Sequence, residues 1–251
     1  MKPGFERAWR QRFAERGRRF DNEADIAGWS RSGLDARYRR FLGLWAGDRA
    51  GERWLDAGCG AGTYTRHLRA CGVDALGLDY SAPSLLRARN HTGGGNWVVA
   101  DVKRLPLAPG SVDGVLCFGV LQALATPAPA LREIVATVRP GGEVWVDGLN
   151  RWCLPNLLRE LRRWLLRRPP HLRYDDPRAV RRALRAAGAT AVRLYWLPLA
   201  PERHARLRRW LEHPRLLALL QRCPPVGLLL SHSFIFVARA PGATARGDPW
   251  R

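Results

Sequence analysis

Three acidic residues and a run of glycines have the types and spacing that could do chemistry. Asp56 ends a short apolar segment, and three alternating glycines follow it at Gly58, Gly60 and Gly62. Glycine lets the backbone approach a ligand where a Cβ would collide. Free N–H groups at the start of the next helix favour an anionic group. The segment Trp54–Leu68 therefore predicts that the first strand-to-helix turn holds a small molecule.

The spacing of this turn argues against a dinucleotide. The dinucleotide fingerprint is G-x-G-x-x-G, whereas the position five residues after Gly58 is Thr63. Asp56 would also repel a pyrophosphate, but it suits a ligand that carries an ammonium group. A turn without a ligand, in which Asp56 only caps the following residues, stays open as the alternative.

Two further acids end predicted strands. Asp79 lies 21 residues after Gly58, where an acid that binds ribose hydroxyls belongs in this kind of fold. Asp101 ends a third apolar segment, just before Val102. As alternatives, Asp79 could cap the helix that starts near Ala82, and Asp101 could simply make a turn.

Strands and helices alternate along the part of the chain that carries these acids. The first predicted strand ends at Asp56. The next four cover Val73–Asp79, Asn96–Asp101, Val112–Phe118 and Glu143–Val146, and helices are predicted at Thr63–Ala70, Ala82–His91 and Ala128–Val138. The last helix is expected to stop at Arg139–Gly142. This alternation predicts an α/β fold with a doubly wound parallel sheet. Such sheets bind ligands at the carboxyl ends of their strands.

These motifs resemble those of the class I S-adenosylmethionine-dependent methyltransferases, above all the small-molecule group that includes the ubiquinone and menaquinone biosynthesis enzymes. The matching blocks are Leu55–Thr63, Gly77–Ser81, Ala100–Val102, Leu105–Leu107, Ser111–Val115 and Leu131–Val144. The resemblance implies a seven-stranded, mostly parallel, Rossmann-like sheet with an antiparallel last strand and helical cap insertions. It also implies an enzyme that uses S-adenosylmethionine as its cofactor.

The same resemblance assigns positions along the cofactor. The amino group of the methionine part is assigned to Asp56, the ribose hydroxyls to Asp79 and the adenine amino group to Asp101. The remaining cofactor positions are Gly58, Cys59, Gly60, Ala61, Gly62 and Thr63 around the methionine part, Phe118 and Gly119 beneath it, and Tyr80 and Val102 beside the adenine. Gln122 stands near where the family often has a histidine, so a histidine base at that point is in doubt.

The residue pattern constrains the methyl acceptor only by class. The chain has no Asn-Pro-Pro-Tyr run, which marks amino-group methylation of nucleic-acid bases or glutamine. It has no paired cysteines at metal spacing, so no metal is expected. An oxygen or carbon of a small, hydrophobic, quinone- or lipid-like acceptor is expected instead. His171 and Tyr174 follow the fifth strand and are candidates to deprotonate a phenol, or are packed or surface residues.

The positive charge of the chain lies outside the predicted cofactor module. The net charge is +20, and only two of the 42 basic residues are lysine. Residues 52–148 hold nine basic and nine acidic side chains, whereas residues 149–251 hold 21 basic and six acidic ones. The charge excess therefore belongs mainly to the segment that follows the module.

Leucine, tryptophan and arginine recur at helical spacing in two segments of this basic region. The first covers Leu154–Leu165, and the second runs from Glu202 to about Arg222 with a break at Pro214. Three interpretations stay open: a cap that packs on the core, attachment to an anionic membrane surface, and nucleic-acid binding. The interleaving of arginine with leucine and tryptophan favours lipid over a phosphate backbone.

The domain organisation follows from these segments. We expect an N-terminal helical lid at 1–48 with Tyr38 as a contact, the methyltransferase domain at 49–240 with basic helical insertions near 150–175 and 200–225, and a disordered tail at 241–251. Scattered cysteines and a charged N-terminus indicate a cytoplasmic protein, with peripheral contact at the inner face of the membrane left open. Two alternatives remain: an RNA methyltransferase, and a non-catalytic S-adenosylmethionine-binding protein at a membrane or partner.

Overall fold

A computed structural model describes residues 4–167, 173–198 and 205–242. The strands are β1 (Arg53–Ala57), β2 (Asp74–Asp79), β3 (Trp97–Val99), β4 (Val112–Cys117), β5 (Val138–Leu149), β6 (Thr190–Leu197) and β7 (Ser233–Arg239). The helices are α1 (Phe5–Arg19), α2 (Glu23–Ala27), α3 (Arg31–Leu42), α4 (Thr63–Ala70), α5 (Ala82–Thr92), α6 (Ala128–Thr137), α7 (Leu154–Leu165), α8 (Pro177–Ala186), α9 (Ala205–Leu211), α10 (Pro214–Arg222) and α11 (Pro224–Leu230). Within these described stretches, no helix is both long and apolar enough to cross a membrane.

The seven strands form one sheet in the order β3-β2-β1-β4-β5-β7-β6. Strands β1 to β5 pair in parallel, and β7 runs antiparallel between β5 and β6. The chain leaves β1 towards β2 and β3, then crosses to β4 on the other side of β1. The switch point therefore lies between β1 and β4. The predicted doubly wound, mostly parallel sheet with an antiparallel last strand is confirmed.

Helices cover both faces of the sheet, because neighbouring strand residues point to opposite sides. Trp54 of β1 packs with Phe41 of α3 and Leu68 of α4. Leu55, the next residue, belongs to a larger cluster on the other side, together with Ile134 of α6. With both faces buried, the carboxyl ends of the strands are left as the edge where a ligand can enter.

Several strand bounds differ from the sequence prediction, and the differences at β5 and β3 have a structural cause. β5 starts at Val138, directly after α6, and includes the Arg139–Gly142 segment, which was expected to separate helix from strand. The reason is that Val138 pairs with Val112 of β4, and pairing resumes after a register shift. β3 ends before Asp101, because the Asp101 carboxylate accepts from the Lys103 N–H (2.9 Å) and turns the chain. From residue 243 onward, the predicted disordered tail lies outside the described residues.

Candidate functional site

The glycine turn lies at the switch point, between β1 and α4. Gly58, Gly60 and Gly62 all have positive φ (83°, 53° and 81°). A Cβ on Gly58 would lie 2.2 Å from a methyl group of Val120, and one on Gly62 would lie 2.7 Å from the Trp97 ring. A Cβ on Gly60 would meet no protein atom within 4 Å. Two of the glycines therefore allow tight packing, while the third borders open space.

A cavity of about 1040 Å³, part of it open to solvent, lies against this turn. Among the described residues it is lined by most of the predicted cofactor positions, which are Gly58, Cys59, Gly60, Ala61, Thr63, Asp79, Tyr80, Asp101, Val102, Phe118 and Gly119. The lining does not include Asp56 or Gly62. The structure thus brings eleven of the thirteen predicted residues to one cavity.

Asp79 joins the glycine turn to the end of β2. Its carboxylate accepts from the backbone N–H groups of Gly60 (2.9 Å) and Ser81 (2.8 Å). Burial raises the pKa of Asp79, and the backbone hydrogen bonds oppose that rise. The carboxylate is therefore held at the cavity wall by the turn that it helps to shape.

Asp56 points away from the cavity. Its carboxylate accepts from the backbone N–H (3.0 Å) and the hydroxyl (2.6 Å) of Thr65, in the first turn of α4. Burial raises its pKa to about 7, although the bonds from Thr65 counteract that effect. These contacts are those of the capping alternative. The predicted role of Asp56 towards an amino group has no supporting contact in this geometry.

The far end of the cavity is lined by Tyr80, Asp101 and Val102, with two residues of α1 across from them. Asp101 pairs with Arg10, whose guanidinium also lies 5.4 Å from the centre of the Tyr80 ring. Phe13 contacts the same ring edge-on at 6.2 Å. An aromatic ring and a carboxylate at one end suit a flat heterocycle that carries a hydrogen-bond donor.

A buried ion pair that the sequence interpretation missed lies at the other end. Arg37 of α3 donates to Asp147 of β5 (Nε to Oδ2, 3.2 Å) and to the Ser233 hydroxyl (2.6 Å), and its side chain is only 3% exposed. The Gly119 N–H donates to the other Asp147 oxygen (2.7 Å). Asp147 could have been found, since it lies near the end of a strand as the other acids do. Nothing in the spacing distinguishes Arg37 from its neighbouring arginines.

Tyr64, the second residue of α4, is also a lining residue that was missed. Its ring packs edge-on against Phe118, with the ring centres 5.0 Å apart. Its hydroxyl is buried and has no hydrogen-bond partner in the protein. Burial raises the pKa of Tyr64, so the hydroxyl keeps its proton and can donate it in a hydrogen bond. A buried donor without a partner at a cavity wall indicates a ligand atom.

The N-terminal helices close the cavity, in the region predicted to be a lid. Glu23 of α2 accepts from the Thr63 hydroxyl and pairs with Arg66 of α4. Glu6 of α1 accepts from the Ala125 N–H (2.8 Å). Tyr38, the expected lid contact, instead lies within hydrogen-bonding distance of His67 Nδ1 (3.1 Å). These side chains make the N-terminal segment part of the site.

Neither candidate for deprotonating the acceptor is placed at the cavity. His171 lies outside the described residues. The Tyr174 hydroxyl accepts from Arg159 of α7 (3.0 Å), and Tyr174 is not among the described lining residues. In the parts of the chain that the structure covers, no group of side chains could hold a metal ion.

The residues that line the cavity suit the polar groups of S-adenosylmethionine. The open space beside Gly60 and the partnerless Tyr64 hydroxyl suit the amino-acid end. The Asp79 carboxylate at the cavity wall suits a diol, and Tyr80 with Asp101 suits an adenine. Apolar side chains, including Ile26, Trp29 and Leu124, form much of the remaining wall.

Comparison with known proteins identifies the same module. Residues 55–146 match the family model described as a methyltransferase domain. The chain is 35% identical to the ubiquinone biosynthesis O-methyltransferase of Bordetella bronchiseptica over 112 residues, which cover 42% of this chain and 46% of that protein. It thus spans about half the length of the curated relatives it matches.

Two solved structures share the fold. One is the complex of the Haloferax volcanii Trm112 methyltransferase activator with a methyltransferase (TM-score 0.66, 23% identity, 92% of this chain and 97% of that chain). The other is magnesium protoporphyrin IX methyltransferase from Synechocystis, with bound SAH (TM-score 0.61, 14% identity, 94% and 99%). Both likenesses concern the fold of the chain.

Proposed function

We propose that this chain is a class I S-adenosylmethionine-dependent methyltransferase, which moves a methyl group to an oxygen or carbon of a small, hydrophobic acceptor of the quinone or lipid type. The observation that carries the proposal is the cavity at the switch point, where the glycine turn and Asp79 meet Asp101, which follows β3, and Phe118, which follows β4. Its lining matches the cofactor from the amino-acid end to the adenine.

Each part of the cofactor has a proposed holder in this chain. When bound, S-adenosylmethionine supplies a methyl group on a sulfonium, which is already a good leaving group. Asp79 would accept from the ribose hydroxyls, and Tyr80 and Asp101 would flank the adenine. Tyr64 and the Gly58–Gly62 turn would hold the amino-acid end. The acceptor would then meet the methyl group beneath α2 and Trp29.

The chain's contribution to the reaction is alignment and exclusion of water. Methyl transfer is an in-line displacement, so its rate depends on how closely the acceptor is held against the methyl group. Ile26, Trp29 and Phe118 give that end of the cavity an apolar wall, which keeps water away from the reacting atoms. A base is needed only for a protonated acceptor. Glu23 is the carboxylate that lines this end, although Thr63 and Arg66 already engage it.

Two observations support a hydrophobic acceptor. The apolar side chains of this wall favour an apolar molecule over a highly charged one. The relative from Bordetella bronchiseptica is named for ubiquinone biosynthesis. We further propose that the protein works from the cytoplasm, in peripheral contact with the inner face of the membrane, because the basic region following β5 suits an anionic lipid surface.

Two measurements test the function. Calorimetry should show binding of S-adenosylmethionine that weakens about tenfold or more in Asp79→Ala, which removes a carboxylate from the proposed diol site. Asp74→Ala is the matched control, since Asp74 is an exposed aspartate at the opposite end of the same strand. Equal affinity in the two variants would contradict the assigned site.

The second measurement is transfer of a labelled methyl group to fractionated cell extract. We expect the label in the lipid-soluble small-molecule fraction. Label in RNA would instead support the nucleic-acid alternative, for which a steep salt dependence of RNA affinity is the second sign. Binding of S-adenosylmethionine with no transfer to any fraction would support the non-catalytic alternative.

A further inference from the structure

Helix α7 carries its apolar face outward. Leu154, Leu158, Leu161 and Leu165 follow one another at intervals of three and four residues and so share one face, with Trp164 beside them. These five side chains, here called the outer face of α7, are 52%, 58%, 53%, 65% and 70% exposed in the order named. An amphipathic helix of a globular protein normally buries this face.

Polar contacts hold one side of α7 against the protein. Asn156 is the buried residue of the helix, and its amide donates to the carbonyl of Asn150 (2.7 Å). Arg159 donates to the Tyr174 hydroxyl (3.0 Å). These two contacts fix which side of the helix faces the protein. Arg163 forms an ion pair with Glu160 on the same helix (2.7 Å), so the outer face takes no part in these contacts.

Positive charge lies beside the outer face, where Arg162 and Arg167 are exposed. Residues 151–167 contain five arginines and a single glutamate. Leu229 and Leu230 at the end of α11 add exposed apolar surface nearby, because the Asn150 amide donates to the carbonyls of Leu228 and Ser231 (both 2.7 Å). Leucines and an exposed tryptophan bordered by arginines match an anionic bilayer, which offers hydrocarbon beneath a negatively charged surface.

We propose that the outer face of α7 is a membrane-docking surface for anionic lipids, with Trp164 and the leucines inserted between headgroups and the arginines at the phosphates. α7 begins shortly after the carboxyl end of β5, at the sheet edge that also holds the cavity. A docked molecule would therefore take up a lipid-soluble acceptor from the bilayer. This role in delivery rests on the proposed function, whereas docking itself does not require methyl transfer.

The test is vesicle flotation with the full chain. Vesicles of phosphatidylcholine with about 30% phosphatidylglycerol should carry the protein to the top of the gradient, and vesicles of phosphatidylcholine alone should carry much less, because the arginines act through the surface potential. The triple variant Leu158→Ser, Leu161→Ser, Trp164→Ser should bind the anionic vesicles about a hundredfold more weakly, since it removes three inserted apolar side chains.

A matched control distinguishes binding through this surface from nonspecific binding through any exposed apolar side chain. Leu86 and Val99 are as exposed as the outer-face leucines, at 57% and 58%, and lie on α5 and β3. Leu86→Ser with Val99→Ser should leave vesicle binding unchanged. Calorimetry with S-adenosylmethionine on the triple variant should match the unmodified chain, which shows that the variant is folded.

Several results would overturn the docking proposal while leaving methyl transfer standing. They are equal binding to neutral and anionic vesicles, an unaffected triple variant, and a stable dimer in solution whose dissociation requires the outer-face substitutions. Retention by an acidic protein surface, without any binding to anionic vesicles, would assign the face to a protein partner instead. Failure of the unmodified chain to bind S-adenosylmethionine would overturn the proposed function but not the docking surface.

Discussion

At the scale of single residues, the Tyr64 hydroxyl is the most specific indication of how the amino-acid end of a ligand is held. It is buried, keeps its proton, and has no partner in the protein. The charged groups that act on it most strongly are Asp147 and Arg37, which form an ion pair with each other. A buried donor without a partner favours an acceptor oxygen, and the proposed ligand supplies one in the carboxylate of its methionine part.

Tyr64→Phe should therefore weaken S-adenosylmethionine binding about tenfold or more, since a hydrogen bond to a charged group is lost. Binding of 5′-methylthioadenosine, which lacks the amino-acid end, should not change. Isothermal titration calorimetry with both ligands separates the two effects. Tyr174→Phe is the control, because the Tyr174 hydroxyl contacts Arg159 and Tyr174 is not among the described lining residues. Equal losses for both ligands would mean that the hydroxyl only supports packing.

At the scale of elements, α1 covers the end of the cavity at Tyr80 and Asp101, which we propose holds the adenine. Arg10 reaches from α1 to Asp101, and Glu6 reaches from α1 to Lys103. The helix also lies close to α5, since a Cβ on Gly17 would come within 2.7 Å of the Ser84 nitrogen. The cover is thus held by side-chain pairs at one end and by close backbone packing at the other.

Arg10→Ala should speed dissociation of S-adenosylmethionine about two- to fivefold, the range expected when a partly exposed ion pair is lost. Added salt should accelerate dissociation from the unmodified chain and have less effect on the variant. Stopped-flow fluorescence gives both rates. Arg7→Ala, on the exposed side of the same helix, should leave the rate unchanged. A rate insensitive to both Arg10→Ala and salt would show that α1 does not act as the cover.

At the scale of the whole molecule, buried carboxylates link folding stability to pH. Burial raises the pKa of Asp56, Asp79 and Asp147 above the ordinary value of an aspartate. These three carboxyl groups therefore bind more protons in the folded chain than in the unfolded chain. For Asp56, protonation stabilises the fold fully below about pH 3.8, and that contribution is lost as pH rises through about 7.

Asp56→Asn removes this titration while keeping a side-chain acceptor for Thr65. The free energy of unfolding of the variant, minus that of the unmodified chain, should rise between pH 4 and pH 7.5 and then level off. Each unit of pKa shift is worth about 1.4 kcal/mol, so a rise of about 1 to 4 kcal/mol is expected. Denaturant unfolding across this range measures it. If the difference in the free energy of unfolding stays flat or falls with pH, the pKa of Asp56 is not raised in the folded state.

The sequence by itself determined the module and its ligand class. The bounds of α4 match the prediction residue by residue, and Asp79 and Asp101 line the predicted cavity. This success has a local cause. Turn glycines, strand-end acids and helix starts are set by neighbours in the chain, and parallel strands bring their carboxyl ends together whatever lies between them.

Only the tertiary structure decided what depends on distant contacts. Arg37 and Asp147 are 110 residues apart, and no spacing marks them as partners. The Asp56 carboxylate accepts from Thr65 instead of facing the cavity, although its place at the end of β1 is compatible with either orientation. Helical spacing shows that α7 is amphipathic, but the same spacing fits either orientation. Its apolar face points outward because Asn156 and Arg159 bond to the protein on the polar side, and those partners come from other parts of the chain.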